Sequence, residues 1–116
     1  MNIDTLKDNW TAYMAAYGSD VEADRLRLLE QSVCDDVVFT NPAGDGKTRA
    51  GLAAHIAKFR QGFPGAYFTT DQVLAQQDKL LAVWSLFKAD GTKVTTGYNF
   101  ARPDDAGRFS YMAGFF

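Results

Sequence analysis

The chain has 116 residues, a formal net charge of −2, and 47 % hydrophobic against 22 % charged residues. That is one domain with room for its own core, and the balance excludes disordered and fibrous chains. Basic residues are scattered singly and no uncharged run approaches the roughly 20 residues of a spanning helix, so neither nucleic acid nor membrane is an expected partner.

The start, Met1-Asn2-Ile3-Asp4, lacks a basic n-region and an apolar h-region, so a cytoplasmic location is expected. From Asp4 to Tyr17, Leu6, Trp10, Tyr13, Met14 and Tyr17 recur at spacings of three and four, the stripe of an amphipathic helix that Gly18 ends. Ser19 and Glu22 form a capping box, which predicts a second helix through Leu26, Leu28, Leu29 and Val33 toward Asp35. Asp35 and Asp36 read as solvated, and Val37 to Thr40 as a short strand that Asn41-Pro42 ends. Cys34, the only cysteine, reads as a small buried hydrophobe; with a single His the chain has no Cys/His metal set, and no metal or cofactor is expected.

Ala43 to Thr48 reads as a turn-forming loop without the spacing of a phosphate-binding loop. A third helix is predicted over Ala50 to Gly62, with Leu52, Ile56, Phe59 and Phe63 at helical spacing, and a partly exposed strand over Ala66 to Gln76. Three further strands, Lys79 to Lys88, Lys93 to Arg102 and Arg108 to Phe116, are separated by Ala89-Asp90-Gly91-Thr92 and Pro103-Asp104-Asp105-Ala106-Gly107. Asp-Gly and Pro-Asp/Gly clusters supply the left-handed positions that hairpin turns need, so the chain closes as an antiparallel meander. Helices followed by a meander predict an α+β domain whose sheet is covered on one face, an arrangement that can enclose a pocket.

Asp35 to Pro42 (DDVVFTNP), Arg49 to Ile56 (RAGLAAHI), Phe59 to Gly65 (FRQGFPG), Gly97 to Arg102 (GYNFAR) and Asp105 to Arg108 (DAGR) together resemble the SnoaL-like branch of the nuclear transport factor 2-like superfamily. The resemblance spans nearly the whole chain and implies a single domain over residues 1–116. It implies a cone-shaped α+β barrel, in which three helices from the N-terminal half pack on the concave face of a curved mixed sheet. A deep pocket between the layers, and a homodimer through the outer sheet face, are further implications.

Branches of this superfamily differ in the groups that move protons. In ketosteroid isomerases the resemblance places an Asp base where this chain has Asn41, and an acid donor near Tyr98 or Asn99; Tyr13 or Tyr17 could supply the tyrosine donor. In limonene epoxide hydrolases an Asn, here Asn41, holds the attacking water, but the Asp-Arg-Asp set falls on the uncharged stretches Ala82 to Leu86 and Met112 to Phe116. In SnoaL-type cyclases the late-strand Asp corresponds to Asn99. An amide cannot accept a proton at neutral pH, so the usual carboxylate chemistry is missing. His55 is the remaining ionisable group, either at a pocket mouth or merely on a helix surface, and Trp84 reads equally as pocket lining and as plain core.

The sequence therefore points to a binder of a small hydrophobic molecule. Trp10, Tyr13, Tyr17, Phe39, Phe59, Trp84, Tyr98 and Phe100 are the expected aromatic walls, and Asn41 and Asn99 the orienting groups. One alternative is a cyclase, isomerase or hydrolase that uses Tyr13 or Tyr17, His55 or a water held by Asn41. Another is a dimeric protein-interaction module with a filled core.

Overall fold

Helix α1 (Ile3–Gly18), helix α2 (Glu22–Ser32), strands β1 (Val33–Asn41) and β2 (Gly44–Lys47), helix α3 (Arg49–Gly62) and strands β3 (Tyr67–Gln76), β4 (Lys79–Phe87), β5 (Lys93–Pro103) and β6 (Phe109–Phe115) follow one another in the computed structural model, which describes residues 2–116. The strands form one sheet in the order β2-β1-β6-β5-β4-β3. Every neighbouring pair is antiparallel except β1 and β6, which run parallel. The sheet is thus mixed and unclosed, with three helices packed against it: the α+β cone expected from the sequence.

The predicted meander forms as β3 to β6. Gly91 (φ 89°) and Gly107 (φ 86°) take the left-handed positions of its last two turns. In those turns Asp90 accepts from the Thr92 amide at 2.9 Å, and Asp104 accepts from Ala106 and Arg108 at 2.9 and 3.1 Å. Strand alternation then sorts the side chains. Leu80, Ala82, Trp84 and Leu86 of β4 face the helices, together with Asn99 and Ala101 of β5 and Phe109 and Met112 of β6, all of them buried. Leu6, Trp10, Tyr13 and Ala16 from α1, and Leu52 and Ile56 from α3, complete this core.

Three boundaries differ from the sequence reading. Helix α2 begins at Glu22, later than a capping box at Ser19 requires, and Val21 at its N-cap makes no side-chain bond. Ser19 instead accepts from the Val21 amide at 3.1 Å while its carbonyl binds Arg25, and Asp20 is held by Arg60, so the segment stays extended. Strand β1 starts at Val33, because Val33 pairs with Phe109 across the sheet, with a register shift before Val38. Gly44–Lys47 is a strand, where a loop was expected, since it pairs with Val38 to Asn41. Pairing made that strand; nothing in Gly-Asp-Gly-Lys favours one.

No helix among the described residues is long and apolar enough to cross a membrane.

Candidate functional site

Between the helices and the sheet lies a cavity of about 610 Å³. Its wall is an aromatic relay across α1, α3, β3 and β4 that ends at Phe116. Trp10, Tyr13 and Tyr17 succeed one another on α1 with ring centroids 5.4 and 5.5 Å apart, and Tyr17 meets Phe59 of α3 at 5.7 Å and Phe68 of β3 at 5.6 Å. Phe68 meets Trp84 edge-on at 5.5 Å, and Trp84 meets Phe116 at 5.7 Å. Tilted and edge-to-face pairs of this kind lock each ring in place beyond simple burial.

Two glycines fix where the rings lie. A Cβ on Gly97, the β5 partner of Trp84, would fall 2.1 Å from the indole; on Gly46, the β2 partner of Phe39, it would fall 2.3 Å from the phenyl ring. Each ring lies flat over the bare backbone of the neighbouring strand.

The polar groups are few and oriented. Trp84 Nε1 donates to Asn99 Oδ1 at 3.0 Å, and the Ala43 amide donates to Asn41 Oδ1 at 2.9 Å. Both carbonyl oxygens accept from protein donors, and neither amide nitrogen has a protein hydrogen-bond partner among the described residues. Gly114 sits between these amides: a Cβ there would meet Asn99 Oδ1 at 3.2 Å and Asn41 Cβ at 3.4 Å. Burial pushes the Tyr17 phenol up to about 12, and burial reinforced by Tyr17 raises Tyr13 well above the ordinary range. Both are neutral hydroxyls at physiological pH.

His55 lies on the cavity face of α3, its ring 5.7 Å from that of Phe39. Burial, and secondarily the charge of Lys58, pulls its imidazole below the ordinary value, so it is neutral at pH 7. Among the described residues it is the one side chain of the wall able to accept a proton there. Lys58 also lines the cavity, and no Asp or Glu among the described residues does.

Of the residues singled out from the sequence, Trp10, Tyr13, Tyr17, Phe39, Asn41, His55, Phe59, Trp84 and Asn99 border this cavity. Tyr98 and Phe100 do not. They flank Asn99 on β5, so when Asn99 points inward they point outward, Tyr98 49 % exposed and Phe100 packed against Tyr111 and beneath Arg102. Their expected place in the aromatic wall is corrected on that ground. Trp84 both lines the cavity and is buried. Met14 of the α1 stripe and Phe63 also line the cavity, as do Lys58, Phe68, Leu86 and Met112, which sequence reasoning did not place there. Lys58 was detectable as the residue one turn beyond His55 and next to Phe59; Phe68 carried no signal once its strand was read as partly exposed.

The model of the SnoaL-like domain matches residues 10–112. The chain belongs to that family. Among solved structures, this SnoaL-like protein resembles one of the SnoaL-like family from Agrobacterium tumefaciens whose name proposes an isomerase, with 24 % identity, 97 % of each chain covered and a TM-score of 0.90. It resembles another from Jannaschia, whose name proposes a SnoaL-like polyketide cyclase, at 12 % identity, 97 % and 85 % coverage and a TM-score of 0.78. A third, TerC co-crystallized with polyporic acid, is 16 % identical over 97 % of this chain and 91 % of its own, with a TM-score of 0.76. At these identities the likeness is one of fold. No curated protein matches the sequence.

Proposed function

We propose that this SnoaL-like protein holds a small hydrophobic molecule of planar or alicyclic frame in the cavity between α1, α3 and the sheet. The observation that carries the reading is a wall of aromatic rings around about 610 Å³ with no Asp or Glu side chain among the described residues lining it. Such a volume suits a ligand of drug-like size, and apolar walls with a few placed donors are how binding pockets gain affinity and orientation. Conversion of the guest is disfavoured because Asn41 and Asn99 stand where the family's acids would be, both tyrosines are held as acids, and only His55 could take a proton. TerC, a structural relative, has been co-crystallized with a small molecule, polyporic acid.

The test is a titration with the neutral fluorophore N-phenyl-1-naphthylamine. One saturable site per chain is expected, with at least a tenfold loss of affinity in Met14→Trp, which fills the cavity from α1. Unchanged binding in that variant would place the probe elsewhere and sink the reading.

We also propose that a second copy of the chain covers the outer sheet face. Leu74, Leu81, Tyr98 and Phe115 are 53, 40, 49 and 60 % exposed there. Register places Leu74, Leu81, Phe100 and Ala113 in one row and Val83, Tyr98 and Phe115 in the next. An apolar band of that kind on a free monomer is a liability.

A further inference from the structure

We infer that the guest of this cavity is an amphipathic anion, with its acid group at the α3 rim beside Lys58 and its apolar frame against the aromatic wall. The inference rests on the proposal that the cavity binds a small molecule, and it adds a charge and an orientation to that guest. Four observations converge on it. Lys58 is the only charged side chain lining the cavity, and it makes no salt bridge among the described residues. Asp45, the acid of neighbouring β2, is turned to the Thr40 hydroxyl and lies outside the lining. His55, one turn earlier on the same helix face, is kept neutral by burial with Lys58 adding to it, so the rim carries one fixed positive charge and an uncharged imidazole.

The fourth observation lies deeper. The carbonyl oxygens of Asn41 and Asn99 already accept from Ala43 and Trp84, so what the buried Asn99 amide has left to offer is N–H. The Asn99 amide nitrogen has no protein partner, and no buried polar side-chain atom among the described residues lacks one, so that nitrogen is accessible from the cavity. A cationic guest would meet a like charge at the mouth and no Asp or Glu side chain among the described residues of the wall. An anion with acceptor oxygens, an aromatic carboxylate or an acidic phenol or enol, meets donors and a cation. Lys58 is then a specificity-determining residue: exposed on α3, it sits at the edge of a low-dielectric cavity, where attraction to a carboxylate is stronger than between two groups in water.

The experiment compares three probes of one shape, 2-naphthoate, 2-acetylnaphthalene and 2-naphthylmethylammonium, by calorimetry at low and at 0.5 M salt. The wild type is expected to bind naphthoate about tenfold tighter than the ketone and the ammonium probe weakest, with the naphthoate advantage shrinking in high salt. Lys58→Arg should keep the order, Lys58→Met should bring naphthoate and ketone within twofold, and Lys58→Glu should reverse naphthoate and ammonium. Because Lys58 is exposed, none of these changes threatens the fold, and the ketone's affinity serves as the internal check. Equal binding of all three probes, or an order indifferent to Lys58→Glu, overturns the inference while leaving the cavity a binding site. Failure of all three to bind removes the binding reading itself, and the inference with it.

Discussion

Single side chains decide the shape of the cavity. Gly97 is the clearest case, because the Trp84 indole occupies the space a Cβ would need. Gly97→Ala must push the ring into the cavity or the strands apart, and overpacking of this kind costs about 1–3 kcal/mol. Chemical denaturation should show that loss together with a shift in Trp84 fluorescence; an unchanged midpoint would mean that the ring has a second resting place. His55 makes a prediction of opposite character, in pH. Its imidazole is pulled below 6.5 in the folded chain, so as pH falls the unfolded chain takes up the proton first. The stability this represents is fully present above about 6.5 and is lost as pH drops toward the folded value. His55→Gln should flatten the loss of unfolding free energy between pH 7.5 and 5.5, and an identical slope in both proteins would contradict the assigned direction.

At the scale of elements, Arg60 ties three segments together. Buried on α3, its guanidinium donates to Asp20 ahead of α2 at 2.9 and 2.8 Å, to the Ala66 carbonyl at the entry to β3 at 2.5 Å, and to the Tyr17 carbonyl at 3.4 Å. Arg60→Met strands those carbonyls and should cost about 1–3 kcal/mol. Asp20→Asn should cost less than about 1 kcal/mol, since Asp20 is 72 % exposed. Denaturant midpoints for the two variants check this, and equal losses would show the surface ion pair to be the tie. The same element also marks what could be read in advance. Its helical stripe of Leu52, Ile56 and Phe59 was plain, whereas Arg60, read as just another scattered cation, gave no hint of its buried network. The β5 strand failed for a different reason. Tyr98 and Phe100 are as apolar as a pocket wall, and Asn99 between them is as polar as a solvent face, so composition suggests a parity opposite to the real one. Only the register with β4, which sets Gly97 under Trp84 and Asn99 beside Ala82, resolves it.

At the scale of the molecule, the two apolar faces of the sheet have different partners, helices and cavity on one, the proposed second copy on the other. The wild type is expected to sediment at about twice 12.8 kDa, and the double variant L81E/Y98K at 12.8 kDa with its fold retained by circular dichroism. A wild-type species of 12.8 kDa at micromolar concentration would refute the pairing. The parallel seam between β1 and β6 carries a last consequence. Val33 finds Phe109, and Phe39 finds Met112, only once the last strand has been made, so an inner seam of the sheet is stitched by its first and last strands in the chain. A ribosome-bound chain that has yet to deliver β6 has β1 and β5 with unpaired edges and the aromatic rings without Met112 and Phe116 beside them, and its safety from clumping in the cell rests on how quickly those seven residues arrive and dock.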